Sequence, residues 1–210
     1  MVFGIKFAPF SIPFRRRLQT LAIYLSMYIP FCGIISSIIL FRLLYTQYYY
    51  ITLLYLFWWI FDHETPIRGM YSFKEKMFIK NKLNPMTGGR RINWFRNLPI
   101  WRLYAEYFPI RLIKTVDMPS DRNYIFGLHP HGILSFSHST NFLTDGTNFS
   151  KLFPGIIPHL VTINMQFKLP IQRDLFLSAG ACSASKESWN YILRYDVWCV
   201  YPTNLKLIYN

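Results

Sequence analysis

The sequence predicts an N-terminal transmembrane helical hairpin followed by an α/β domain. Three observations carry this. Residues 18–61 form one apolar stretch in which Arg42 is the only formal charge. Basic residues crowd both of its flanks. From Asn123 onward, short apolar runs alternate with helix-like stretches, punctuated by proline and glycine. The 210 residues suffice for one soluble domain plus a membrane segment, and are too few for two full domains. The chain is 52% hydrophobic and 19% aromatic with a net charge of +13, a balance that suits an anionic membrane surface or a nucleic acid.

Residues 1–17 read as a cytosolic segment carrying Lys6, Arg15, Arg16 and Arg17. The apolar stretch that follows far exceeds the ~20 residues of a single crossing and is right for two. Arg42, Thr46 and Gln47 sit near its middle among Tyr45, Tyr48, Tyr49 and Tyr50, residues that belong at a membrane interface. The expected hairpin has helix one at 20–41, a turn at 42–47 and helix two at 48–61. Pro30 and Gly33 would let helix one bend. The alternative is one long crossing plus an interfacial helix. A cleavable signal peptide is not expected, because the apolar stretch is far longer than a signal's h-region and is set back from the start. Basic flanks at both ends place both ends in the cytosol.

Residues 62–116 read as a basic interfacial connector. Its part 70–87 is lysine-rich with scattered aromatics, and 98–116 suggest an amphipathic helix broken at Pro109. Because the cations lie beside the apolar stretch, they fit attraction to anionic headgroups at ~1 kcal/mol per charge. No zinc-finger, helix-turn-helix or RNA-binding signature is present, which argues against nucleic acid. Cys32, Cys182 and Cys199 are far apart and predict neither a disulfide framework nor a metal site.

Residues 117–210 read as the α/β domain. Strands are expected at 124–128 and 159–165, and helices at 133–143, 169–178 and 186–194. The first two of these helices are less regular in pattern, whereas Ser185 is a good N-cap for the third, with Glu187 in its first turn.

The first strand runs into His129-Pro130-His131-Gly132. In an extended segment His129 and His131 point the same way. Pro130 ends sheet pairing, and Gly132 permits close backbone approach. A histidine at the carboxyl end of a strand suits a general base. Two other readings stay open on the residues alone. One is an ordinary turn. The other is a metal site drawing on His138, His159, Asp145 or Asp174, none of which sits at a recognised spacing. A histidine with an aspartate five residues on is absent, since those positions hold Leu134 and Phe136. No G-x-S-x-G elbow occurs.

HPHG at 129–132, preceded by YIFG at 124–127, resembles the acyl-CoA:diacylglycerol acyltransferase type 2 family, which includes monoacylglycerol and wax-alcohol acyltransferases. FAP at 7–9, RRLQTLA at 16–22, GGRR at 88–91, YFPIRLIKT at 107–115, FPGI at 153–156, RD at 173–174 and SAG at 178–180 agree with it. The resemblance implies a multi-pass enzyme of the endoplasmic-reticulum membrane, with a lipid-droplet pool and a cytosolic catalytic face. It implies transfer of a fatty acyl group from acyl-CoA to a mono- or diacylglycerol hydroxyl. It assigns catalysis to His131 and His129, with His131 favoured as base, and substrate contact to Pro130, Gly132, Tyr107, Phe108 and Pro109. Acyl-CoA is then a co-substrate and no cofactor or metal is needed. Membrane lipid is a partner, and self-association is compatible with the family. Arg111, Lys114 and Arg122 are placed to meet either the CoA phosphates or the membrane surface.

Two departures accompany the resemblance. Residues 70–87 read as an insertion. Residues 194–210 do not match the family's GGA-x-E and R-x-G-F blocks, so the domain reads as a partial α/β acyltransferase domain, C-terminally truncated. The alternatives to a monoacylglycerol or diacylglycerol enzyme are an inactive membrane-hairpin isoform and a wax-alcohol acyltransferase, with a metallohydrolase a distant third.

Overall fold

The computed structural model describes residues 12–68, 90–120, 124–128, 136–194 and 198–202. The chain opens with α1 (Phe14–Leu43), a 30-residue helix that continues through Pro30. It starts inside the segment read as preceding the anchor, because Pro13 suits a helix start and the arginines after it are good helix formers. By length and composition α1 is the one described helix able to cross a bilayer, and only 11% of its most apolar stretch is buried. Leu21, Tyr24, Leu25, Tyr28 and Phe31 project from it exposed.

One stripe of α1 does meet the rest of the chain. Gln19, Ala22, Ser26, Ile29, Gly33 and Ser36 recur at spacings of three and four, the seam of a packed helix. Gln19 Nε2 donates to Glu106 (3.1 Å), whose carboxyl is held below its usual range chiefly by Arg15. Ala22 is buried. Ser36 Oγ donates to the Pro170 carbonyl at 2.8 Å. Gly33 is a packing position: a Cβ there would stand 2.6 Å from Leu169 Cβ and 2.5 Å from Gln172 Oε1. Gly33→Ala is therefore expected to destabilise the docked helix by about 1–3 kcal/mol, despite alanine's better helix propensity. Thermal unfolding in detergent micelles checks this; a raised Tm would refute the close packing.

The chain folds back through residues 44–48 into α2 (Tyr49–Phe61), where Thr52 Oγ1 donates to the Leu40 carbonyl at 2.9 Å. At 13 residues α2 is shorter than the ~20 of a full crossing, so among the described residues only α1 has bilayer length, and a hairpin of two crossings is not shown. Short helices follow: α3 (Thr65–Arg68), α4 (Asn93–Arg96) and α5 (Pro99–Tyr107). Pro99 starts α5, and the helix ends ahead of Pro109, as the sequence predicts.

The domain's sheet has four strands: β1 (Ile125–Leu128), β2 (Pro158–Thr162), β3 (Ala181–Ser183) and β4 (Trp198–Pro202). Their order is β1-β4-β2-β3 and every pairing is parallel. Between them lie α6 (Phe136–His138), running on as a π-helical turn over Ser139–Leu143, then α7 (Phe149–Leu152). A 3₁₀ turn (Asn164–Phe167), α8 (Gln172–Ala179) and α9 (Lys186–Arg194) complete it. The Ser188 amide donates to Ser185 Oγ at 3.2 Å, which is the expected cap of α9.

Both faces of the sheet are covered at β2 and β3, whereas Ile125 leaves one face of β1 exposed. Leu160 and Ala181 pack with Phe167 and Leu177, while Val161 and Cys182, on alternate positions, pack with Trp189. Three expectations need correction. The strand read over 159–165 stops at Thr162, where the chain turns into the 3₁₀ segment. The strands β3 and β4 were not expected. The helix read over 133–143 is described from Phe136, with its second half a π turn; residues 133–135 lie outside the described residues, as does the insertion read at 70–87.

Candidate active site

Register sets the location. Leu128 pairs with Pro202, Leu160 with Val200, and Thr162 with Ser183. Leu128, Thr162 and Ser183 therefore share one row at the carboxyl edge of the sheet. His129 is the next residue after that row. This edge is where open α/β sheets bind ligands. The four residues His129, Pro130, His131 and Gly132 themselves lie outside the described residues, as does Arg122.

Their neighbours on both sides are described. Phe136, four residues beyond Gly132, stacks on Phe108 with ring centroids 5.3 Å apart and planes 12° apart. Tyr104 meets Phe136 at 6.1 Å and Phe108 at 5.3 Å, and Tyr107 meets Phe108 at 5.0 Å. The Tyr107-Phe108-Pro109 block is thus brought against the segment that leaves the histidine pair, with Phe108 making the contact and Pro109 exposed. Of the cations, Arg111 is exposed, while Lys114 pairs with Asp117 and lies over the Phe153 ring at 5.3 Å.

A cavity of about 170 Å³ lies between α1 and this region. Ser26, Met27 and Pro30 of α1 form one wall, and Trp101, Tyr104, Phe136 and Thr140 belong to the other. Thr140 sits in the π-helical turn, a local form that recurs at functional sites.

Four arginines hold the framework, two of them (Arg96 and Arg173) buried, and sequence reading missed their roles. Arg96, 1% exposed, sends Nη1 to the carbonyls of Phe142 (3.0 Å), Leu143 (2.8 Å) and Ala179 (2.6 Å). Burial, with Arg91 nearby, pushes its pKa down to about 9. Arg91 donates from Nη1 to the Pro158 carbonyl at 3.0 Å and is pushed down to about 10 by burial. Arg173, 1% exposed, pairs with Asp62 at 2.6 Å, and Arg90 bridges Asp62 (2.6 Å) and Asp174 (2.7 Å). The signal was present in GGRR and RD, two charged motifs inside an apolar context.

The four side chains considered beside the histidine pair for a metal do not assemble. His138 is on α6, Asp145 accepts the Ser150 amide (2.8 Å), and Asp174 belongs to the arginine network. His159 is fully buried on β2, its Nδ1 3.0 Å from the Gly180 carbonyl. Among the described residues no three His, Cys, Asp or Glu side chains converge.

A carbonyl can only accept, so Nδ1 of His159 carries its proton. Burial, with Arg91 and Arg96 adding repulsion, pushes the pKa of His159 down to about 3. The folded state then refuses a proton that the unfolded chain takes near pH ~6.5, so this residue costs stability as pH falls from there towards 3. His159→Leu is expected to flatten that part of the stability curve, measured by urea unfolding between pH 7 and pH 5. An unchanged slope would refute the neutral buried state.

Comparison with known proteins adds the decisive observation. Residues 75–198 match the family model described as diacylglycerol acyltransferase. The chain belongs to the diacylglycerol acyltransferase family. It is 39% identical over 194 residues to 2-acylglycerol O-acyltransferase 1 of Bos taurus, covering 91% of this chain and 52% of that one. It is 40% identical to diacylglycerol O-acyltransferase 2B of Umbelopsis ramanniana, over 88% of this chain and 46% of the relative. Acyl-CoA wax alcohol acyltransferase 1 of Mus musculus is also 40% identical, over 73% and 41%. The chain thus spans about half the length of these family members. No solved structure matches it.

Proposed function

We propose that this family member moves a fatty acyl group from acyl-CoA to a neutral-lipid hydroxyl, that of 2-monoacylglycerol or diacylglycerol, at the cytosolic face of the endoplasmic-reticulum membrane. The observation that carries the reading is the placement of HPHG. It follows directly on the carboxyl edge of a parallel strand, in a chain that is 39–40% identical to named acyltransferases. Phe108 stacked on Phe136, four residues after Gly132, supports it.

The chemistry asks little of the site. The thioester is already activated. His131 takes the proton from the acceptor hydroxyl as its oxygen attacks the thioester carbonyl. Collapse of the tetrahedral oxyanion then expels the CoA thiolate, which recovers a proton. Backbone N–H groups near Gly132 are proposed to meet the oxyanion, and Pro130 to fix the spacing of the two imidazoles. His129 supports the base, Tyr107 and Pro109 line the approach beside Phe108, and no cofactor enters. The exposed apolar faces of α1 and α2, with basic residues on either side, suit a membrane anchor that brings the enzyme to a lipid acceptor.

The test is incorporation of radiolabelled acyl-CoA by membranes expressing the chain, with 2-monoacylglycerol, diacylglycerol and a long-chain alcohol offered separately. Acylglycerol product from the wild type, lost in His129→Ala/His131→Ala, is the expected result. Product from the alcohol alone would assign the wax-ester reaction. Equal product from wild type and the double variant would refute the role of the pair.

A further inference from the structure

We propose that the cavity between α1 and the domain is a binding site for a short stretch of the hydrocarbon tail of a lipid substrate. Its role as a substrate site rests on the acyl-transfer reading; the binding itself does not.

The architecture favours a built cavity over a packing defect. α1 is pinned to the domain above the cavity, through Gln19 and Ala22, and below it, through Gly33 and Ser36. Between those two contacts Ser26, Met27, Ile29 and Pro30 stand away from the domain and leave about 170 Å³. The opposite wall is Phe95, Trp101, Tyr104, Phe136, Leu143 and Phe176. A helix fixed at both ends cannot relax onto its neighbour to fill the space.

The wall chemistry selects hydrocarbon. Four of its polar side chains are bonded to backbone carbonyls. Trp101 Nε1 donates to the Phe95 carbonyl (2.6 Å), and Ser26 Oγ to Ala22 (2.7 Å). Thr140 Oγ1 donates to Phe136 (2.7 Å), and Thr144 Oγ1 to Thr140 (2.8 Å). The hydroxyls of Tyr104 and Ser139 are the other polar side-chain groups of the lining. A polar ligand would find few partners here, whereas an unbranched chain loses none by entering.

Position relates the cavity to the chemistry. Phe136 forms part of its wall and is four residues from Gly132, so the backbone limits their separation to roughly 14 Å. A tail lying in the cavity thus passes a wall residue that is a short stretch of chain from the histidine pair. The other face of α1 exposes Leu25, Phe31 and Ile34, so the wall that holds the tail is also the wall that meets lipid.

Two tails share this chemistry, that of the acyl donor and that of the acceptor, and one experiment separates them. The full chain in nanodiscs is photolabelled with an acyl-CoA, or with a 2-monoacylglycerol, carrying a diazirine near the tail end. Adducts are mapped by mass spectrometry. The expected adducts fall on the Ser26–Pro30 segment and on Phe136 or Phe176, and an unlabelled oleoyl chain competes them away. Whichever probe labels identifies whose tail is held. Ile29→Trp, which fills the lumen, is expected to cut these adducts about tenfold and to make octanoyl the better competitor. Ser26→Leu, an ordinary residue for an apolar helix, is expected to do the same, so misfolding of one variant cannot imitate the result. Adducts confined to Leu25, Phe31 and Ile34 with both probes, or labelling that neither variant lowers, would overturn the assignment. Labelling without acyl transfer would sink the functional reading and leave the cavity standing; transfer without internal labelling would do the reverse.

Discussion

Asp62→Ala is expected to destabilise the protein by about 3–5 kcal/mol, the largest loss of stability foreseen here for a single side chain. Asp62 ends α2, is 7% exposed, and receives three side chains: Arg90 Nη2, Arg173 Nη1 and Thr65 Oγ1, each at 2.6 Å. Losing the carboxylate has unequal consequences for the two arginines. Arg90 keeps Asp174 at 2.7 Å and its place over the Trp58 ring. Among the described residues Arg173, 1% exposed, then keeps only the Asp62 backbone carbonyl and has no counter-ion. Asp174→Asn should cost less, since Asp174 is more exposed and Arg90 retains Asp62. Pairing Asp62→Leu with Arg173→Leu should recover much of the loss, because it removes the stranded charge together with its partner. Urea unfolding in micelles distinguishes these cases. A midpoint for Asp62→Ala equal to that of the wild type would mean that the pair is hydrated and weak.

The same network explains how the apolar helices are held to the sheet. Tyr55 of α2 donates to Asp174 (2.9 Å) and accepts the Ile171 amide (3.0 Å), so α2 grips both the start of α8 and the turn before it. Gly33 and Ser36 of α1 dock on that same turn. Two helices that sequence reading treats as a separate anchor are therefore bolted to the α/β unit through residues 169–174.

Some of this was legible beforehand and some was not, for physical reasons. Strand β1, helix α9 and the stop before Pro109 were read correctly because each has a local signal: a short apolar run, a serine cap, a proline. Strand β3 was missed because Ala181-Cys182-Ser183 is too short and too weakly apolar to declare itself; its burial comes from neighbours. Helix α1 was read as a membrane crossing with no packed face assigned, although Gln19, Ala22, Ser26, Gly33 and Ser36 form a stripe of small or polar residues in an otherwise bulky helix. That stripe is the visible mark of a packed seam, and in a helix of this hydropathy it is easily taken for mere interruption. For the site, HPHG and the Tyr107–Pro109 block stood out as motifs, and the structure adds the contact of Phe108 with Phe136. Pairing across long sequence separations, as in Asp62 with Arg173, has no local signature at all.

His131→Ala should lower acyl transfer by about 10²–10⁴-fold, the range for loss of a positioned general base. The pH profile gives the sharper check. A base must be unprotonated to act, so kcat/KM of the wild type should rise with pH up to the imidazole range near ~6.5 and then level off. His131→Ala should abolish that limb as well as lower the plateau. If His129→Ala abolishes it instead, the two roles exchange. Two of the other histidines are poor sources of the limb. His159 is buried, pushed down to about 3, and bonded to a backbone carbonyl, so it is neutral across the whole range of the assay. His138 is also lowered by burial, which moves its titration below that of a free imidazole. A limb near neutrality that survives both His129→Ala and His131→Ala would remove the pair from the proton transfer and with it the proposed mechanism.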